Sequence, residues 1–98
     1  MKAIRKAPRK AAEIIDIENT LEALQREVGG YIETVTLASD CCLIMNEEGR
    51  INDLPFNCHL CGLQLFGTIL VVGVDGDEFT DLAAAHKTMR LLGWGPDA

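Results

Sequence analysis

Cys58-His59-Leu60-Cys61 is the place in this 98-residue chain where spacing alone points to chemistry, because a C-x-x-C pair can offer two thiolates to one zinc ion or close as a redox pair. A tetrahedral zinc needs two further ligands, and Cys41, Cys42, His59 and His86 are the available ones. Cys41 and Cys42 are adjacent, so in a strand they face opposite ways and at most one can join. The matching second half of a zinc motif is absent, which favours free thiols and leaves Cys58, Cys61, His59 and Cys41 as the metal candidates. Redox catalysis is disfavoured further, since no helix clearly begins at Cys58 to lower its pKa.

Other constellations read as structure. Asp75-Gly76-Asp77-Glu78 crowds three carboxylates into four residues, but nothing at the matching later positions completes a calcium loop, so an exposed turn is expected. Gly62-x₄-Gly67-Thr68 lacks the lysine of a phosphate-binding loop and leads into a strand instead of a helix. Neither His59 nor His86 sits in a Ser/His/Asp or Cys/His arrangement that the sequence can establish. No catalytic residue and no cofactor site is assigned, and an enzyme is the least supported class.

Composition favours one soluble domain over residues 1–98, with a basic N-terminal segment 1–10 and a short tail 93–98. The longest apolar run, Leu65 to Val74, is much shorter than the roughly 20 residues a membrane-spanning helix needs. No secretory signal follows the basic start, so a cytoplasmic location in a bacterial host is expected. Five of the nine basic residues lie in the first ten positions, whereas Glu13 to Asp81 carries fourteen acids against Arg26 and Arg50. An acidic body discourages contact with nucleic-acid phosphates and suits basic protein surfaces. Glu33, Glu47, Glu48, Asp53, Asp75, Asp77 and Glu78 are the candidate interaction surface. A solvated face that keeps the chain soluble is the plain alternative.

The positioning elements follow from pattern. Ala3–Ala7 and Ala12–Ile17 read as strands of a hairpin, turning at Pro8, Arg9 and Lys10. A helix begins with Asn19 as cap and Glu22 bonding back, runs with Leu21, Leu24 and Val28 on one stripe, and stops at Gly29-Gly30. Tyr31–Leu37 is a β-branched strand, and Cys41–Met45 a second strand after the Ala38-Ser39-Asp40 loop. Asn46-Glu47-Glu48-Gly49 suits a tight turn, with Gly49 at positive φ, before Arg50 and Ile51 return as a hairpin. Asn52–Gly62 reads as an irregular crossing loop and Leu65–Val74 as one central strand, ended by the Asp75-Gly76-Asp77 turn. Thr80 caps a second helix, Asp81–Leu92, with Leu82, Ala85, Met89 and Leu92 on its inner face, and Gly93 stops it before Trp94-Gly95-Pro96 folds back. The result is an α+β domain with two helices against a mostly antiparallel sheet of about four to five strands.

The ordered blocks Asn19-Thr20-Leu21-Glu22, Val28-Gly29-Gly30-Tyr31-Ile32-Glu33, Asn46-Glu47-Glu48-Gly49, Leu54-Pro55-x-Asn57, Gly67 and Val72-Gly73-x-Asp75-Gly76-x-x-Phe79-x-x-Leu82 resemble the domain of unknown function 3846 family. The resemblance spans roughly Glu13 to Leu82 and implies an α+β domain of small phage, plasmid and mobile-element proteins, with no active site to carry over. Cys58 and Cys61 fall outside its blocks. The glycines of these blocks serve chain reversals. Tyr31, Glu33, Asn46 and Asn57 would line a polar surface if the fold brings them together.

The favoured expectation is a non-enzymatic interaction protein of a phage or mobile element. It would block a host defence or nucleic-acid-handling protein that presents a basic surface, without direct nucleic-acid or membrane contact. The alternatives are a module sequestering a nucleotide or metabolite, with phosphate contacts from the basic first strand and homo-oligomer formation open, and a zinc-stabilised domain.

Overall fold

The chain runs β1 (Lys2–Lys6), β2 (Glu13–Asp16), α1 (Leu21–Val28), β3 (Ile32–Ala38), β4 (Cys41–Asn46), β5 (Phe56–Leu60), β6 (Leu63–Phe66), β7 (Ile69–Asp75), β8 (Glu78–Thr80) and α2 (Ala85–Leu91). The computed structural model describes residues 1–94. Six strands form one sheet in the order β2-β1-β7-β4-β3, with β8 also paired to β7, and β5 and β6 make a separate hairpin. Every pairing is antiparallel. Gly73 of β7 already pairs with Cys41 of β4, so β8 occupies the β1 side of β7.

β7 lies between two layers as well as between two strands. Ile69, Leu70, Val71 and Val72 are completely buried, as a strand apolar on both faces requires. Leu70 and Val72 face α1, packing with Ala3, Cys42, Ile44, Leu24 and Val28. Ile69 and Val71 face the opposite layer, packing with Ile4, Leu43, Met45, Leu65 of the hairpin and Leu82, Ala85 and Met89 around α2. Alternation along β1, β4 and β7 therefore feeds two cores from one sheet.

The α+β class, the two helices and the antiparallel sheet agree with the sequence pattern, but the strands outnumber the four to five expected. β8 is only three residues long and follows a glycine turn, so it escapes any periodicity. The apolar run expected as one strand is two, because Gly67 takes a positive φ of 77° and turns the chain between β6 and β7. Asn52–Gly62 is not an irregular loop: its second half is β5. Arg50 and Ile51 do not return as a strand, and Gly49 is absent from the positive-φ residues; β4 instead pairs with β3 through the Ser39-Asp40 turn. What Gly49 supplies is space, since a Cβ there would sit 3.1 Å from the Phe66 carbonyl oxygen.

Both helix starts also shift. Thr20, not Asn19, caps α1: its Oγ1 accepts from the Ala23 N–H at 3.2 Å. The Asn19 amide is committed elsewhere, donating to the Phe79 carbonyl of β8 at 2.9 Å. Leu21 is exposed, and the buried stripe is Ala23, Leu24 and Val28. Gly29 closes the helix at φ 82° as expected. Thr80 belongs to β8 and does not cap α2. Residues 81–82 are held to β1, with Lys2 N–H donating to Asp81 Oδ1 at 2.7 Å and Leu82 N–H to the Lys2 carbonyl at 2.9 Å, so α2 begins only after Ala84. Gly93 turns the chain at φ 80°, and Trp94 packs on the α2-side core; the rest of the expected tail, Gly95 onward, lies outside the described residues.

Gly73 permits the β7–β8 crossing. A Cβ at this position would lie 2.3 Å from the Asp81 carbonyl oxygen and 3.0 Å from that of Thr80, both backbone atoms that cannot rotate away. Gly73→Ala is expected to cost about 3 kcal/mol in chemical denaturation. Gly62→Ala is the control: with nothing within 4 Å of its Cβ it meets only the left-handed backbone penalty, about 1 kcal/mol.

Candidate functional site

Asn46 is the only buried polar or charged residue among the described residues, and it ends β4. Its Nδ2 donates to the Val28 carbonyl at 3.0 Å, satisfying an acceptor left open at the C-terminal end of α1. Its Oδ1 accepts from the Glu48 N–H at 2.7 Å and shapes the turn that follows. Gly30 lies against the same amide, where a Cβ would come within 2.9 Å of Nδ2, and the Glu47 N–H bonds the Tyr31 carbonyl at 2.8 Å. The Val28-Gly29-Gly30-Tyr31 and Asn46-Glu47-Glu48-Gly49 blocks thus form one junction around one side chain.

A second junction holds the β5–β6 hairpin. The register shifts between Phe56 and Cys58, leaving Asn57 as a bulge whose Nδ2 donates to the carbonyls of Lys6 and Gly67, each at 2.8 Å. Gly67 N–H donates to the Pro55 carbonyl at 2.7 Å, and Leu54 occupies the space a Cβ on Gly67 would need. The hairpin is therefore anchored at its base to the end of β1.

Between these junctions opens a cleft of about 530 Å³, with Glu33, Asn46, Glu47 and Arg50 on one side and His59, Leu63, Gln64 and Phe66 from the hairpin on the other. A smaller hollow of about 280 Å³ adjoins it through Asn46 and includes Tyr31, Glu48 and Asn52. Of the polar quartet expected from sequence, Tyr31, Glu33 and Asn46 meet here, whereas Asn57 serves the hairpin base. Large apolar side chains are exposed in the segments that line these hollows: Leu63 at 37% lines the cleft, Tyr31 at 68% lines the smaller hollow, Ile51 at 78% lies in the chain between Arg50 and Asn52, and Phe56 is 45% exposed. Phe56 is linked to the wall by ring contacts with His59 at 5.1 Å and Phe66 at 5.7 Å. Phe56 carries no motif and was visible in the sequence only as a residue type, whereas Tyr31 stood in a family block and in the expected polar quartet; the exposure of both comes from the fold.

The acidic candidates divide between two ends of the sheet. Glu33, Glu47, Glu48 and Asp53 gather at the cleft end, on β3 and the turn after β4. Asp75, Asp77 and Glu78 flank the β7–β8 turn beside the start of β4, a strand length or roughly 16 Å away. They do not make one continuous surface. In the basic first strand Arg5 is already paired with acids: it donates to Glu13 through Nε at 2.9 Å and to both oxygens of Glu27 through Nη1 at 3.1 Å. These bonds, first to Glu13 and then to Glu27, raise the Arg5 pKa.

The four metal candidates are not assembled either. Cys58 packs inward on the α2-side core, His59 points outward to Phe56, and Cys61 is exposed in the hairpin turn at φ 51°. Cys41 faces the α2-side core and Cys42 the α1-side core, so the adjacent pair does split across the sheet. Among the described residues no three His, Cys, Asp or Glu side chains converge. Burial raises the thiol pKa of Cys41, Cys42 and Cys58, with Asp40 adding to it at Cys41 and Lys6 opposing it at Cys58.

The family model described as Domain of unknown function (DUF3846) matches residues 1–93, more than the span whose blocks carry the resemblance. The chain belongs to this family. No curated protein and no solved structure matches it. For a DUF3846 domain, the two asparagine junctions give the shared blocks a structural meaning. None of the described helices is long and apolar enough to cross a membrane.

Asn46→Ala would leave the Val28 carbonyl and the Glu48 N–H without their partner, and a loss of about 2–3 kcal/mol is expected in denaturant unfolding. Iodoacetamide at about pH 8 is expected to label Cys61 well before the other thiols, because exposure and thiolate fraction set the rate. Peptide mass mapping reads the order, and early labelling of Cys58 would contradict its packing under the hairpin.

Proposed function

We propose that this DUF3846 domain is a non-enzymatic interaction module of a phage or mobile element, and that it grips a basic protein surface at the cleft end. The observation that carries the reading is the exposure of Leu63 and Tyr31 on the walls of two adjoining hollows edged by Glu33, Glu47 and Glu48, with exposed Ile51 between the lining residues Arg50 and Asn52 and exposed Phe56 against the lining rings of His59 and Phe66. Exposed apolar side chains rimmed by charge are the composition of a protein-binding patch. The apolar groups supply the buried contact, while the acids select a basic partner and speed its approach. Arg50 and His59 inside the cleft would meet acidic or carbonyl groups of the same partner. The partner class proposed is a bacterial defence or nucleic-acid-handling protein, whose basic groove such an acidic, partly apolar surface would occupy.

The test is affinity capture from a bacterial host with the wild-type chain and an Ile51→Ser/Phe56→Ser variant side by side. Both positions are exposed, so the thermal midpoint should hold while capture falls at least tenfold. Glu47→Gln/Glu48→Gln should weaken capture at low salt, whereas Asp75→Asn/Asp77→Asn at the opposite end should not. Identical recovery on wild type and on Ile51→Ser/Phe56→Ser overturns the reading.

The cleft volume supports a second reading, because about 530 Å³ falls in the range of small-molecule sites. Under it, the domain sequesters a nucleotide or metabolite, with Arg50 and His59 as the polar contacts. Native mass spectrometry of freshly purified protein decides between a retained ligand and the bare chain mass.

A further inference from the structure

β3 is the outer strand of the six-stranded sheet, with β4 on one side and no strand on the other. The direction of its backbone groups follows from one hydrogen bond. Glu47 N–H reaches the Tyr31 carbonyl, so in the same register Glu33 and Val35 also turn their N–H and C=O groups toward β4. Ile32, Thr34 and Thr36 must then turn theirs away from the sheet. Among the described residues those groups have no hydrogen-bond partner. An edge of this kind is a template for another strand.

Natural edges are usually blunted by lysine, proline, short length or a charge at mid-strand. β3 has neither lysine nor proline; its sequence is Ile-Glu-Thr-Val-Thr-Leu-Ala, and its bulge falls at the far end, after Thr36. The opposite edge, β2, is four residues long and ends in Glu13 and Asp16. Glu13 is already engaged by Arg5. β8 is a three-residue edge whose Phe79 carbonyl already accepts from Asn19, so among the described residues β3 is the one long edge of this sheet left open to a partner strand.

We propose that two copies of this chain join through β3, antiparallel about a two-fold axis at Thr34, so that the sheet continues from one molecule into the other. The outward-facing residues dictate this register. Ile32 of one copy lies opposite Thr36 of the other, Thr34 opposite Thr34, and all three pairs exchange N–H···O bonds. Thr34 and Thr36 are exposed, and threonine pairs suit such cross-strand positions. The strand's one charge, Glu33, falls opposite Val35 of the second copy and not opposite another Glu33. The half-buried Val35 gains cover in the same step. A second copy fits better than an unrelated strand because the pattern is complementary to itself: no charge opposes a like charge, and every outward donor meets an acceptor.

This inference does not rest on the proposed cleft function, and its test is separate. Light scattering after gel filtration at about 100 µM protein should give twice the 10.7 kDa chain mass. Hydrogen exchange should show the Ile32, Thr34 and Thr36 amides protected, with protection lost on dilution to monomer. Thr34→Lys sets two lysines against each other on the axis and should shift the dimer constant at least tenfold toward monomer, leaving the thermal midpoint of dilute protein unchanged. Thr34→Pro removes one outward N–H without touching the β3–β4 ladder and should act in the same direction. Wild-type protein that stays monomeric at that concentration, or a dimer with freely exchanging Ile32, Thr34 and Thr36 amides, overturns the proposal. A dimer unaffected by either substitution does the same.

Discussion

The carboxamide of Asn46 is the constraint on which the cleft end of the molecule depends. It bonds the last turn of α1 and the first turn after β4 at once, from a position closed to water. A buried amide left half-satisfied is costly, so the helix end, the Gly30 backbone and the Glu47-Glu48 turn can hold only one arrangement around it. The relation between the α1 layer and the sheet is set there, and so is the floor shared by the cleft and its neighbouring hollow.

Asn57 plays a related part for the hairpin layer, with less burial and a different backbone device. As the extra residue of a β-bulge it turns its side chain to the carbonyls of Lys6 and Gly67, which fixes where β5 and β6 leave the sheet. The hairpin then carries Leu65 into the core and His59 to the outside on alternate positions. That alternation separates Cys58 from His59, and the turn conformation of Cys61 separates it from both. Residues that look like one chemical motif in sequence are thus dispersed by the period of two along a strand.

Where exposed polar and apolar groups do collect, they are supported by structural ones. The shared family blocks supply the junctions, glycine clearances and turns, and also the exposed Tyr31, Glu33 and Glu47, while Arg50 and His59 of the cleft lie outside them. Hydrogen-bonded junctions beneath exposed apolar groups would suit the recognition proposed above, since they would leave less ordering to oppose association. The open β3 edge adds a backbone surface whose outward donors and acceptors are available to another strand.

Local physical chemistry was enough to determine much of this protein from its sequence. The stop of α1 at Gly29, the β-branched strand from Ile32, the burial of Ile69–Val72, the turn at Asp75-Gly76 and the inward face of Leu82, Ala85 and Met89 all depend on near neighbours and period. The family blocks were also legible, because they are linear. Tertiary structure decided what Asn19, Asn46, Asn57 and Asp81 do, since each bonds a backbone group distant in sequence that competes with its local role. It likewise revealed β5 and β8, which are short and gain their pairing only from neighbouring strands, and it divided the acids between two ends of the sheet. Hydrogen bonding and burial across the sheet are non-local, and they placed the cleft where no linear motif marks it.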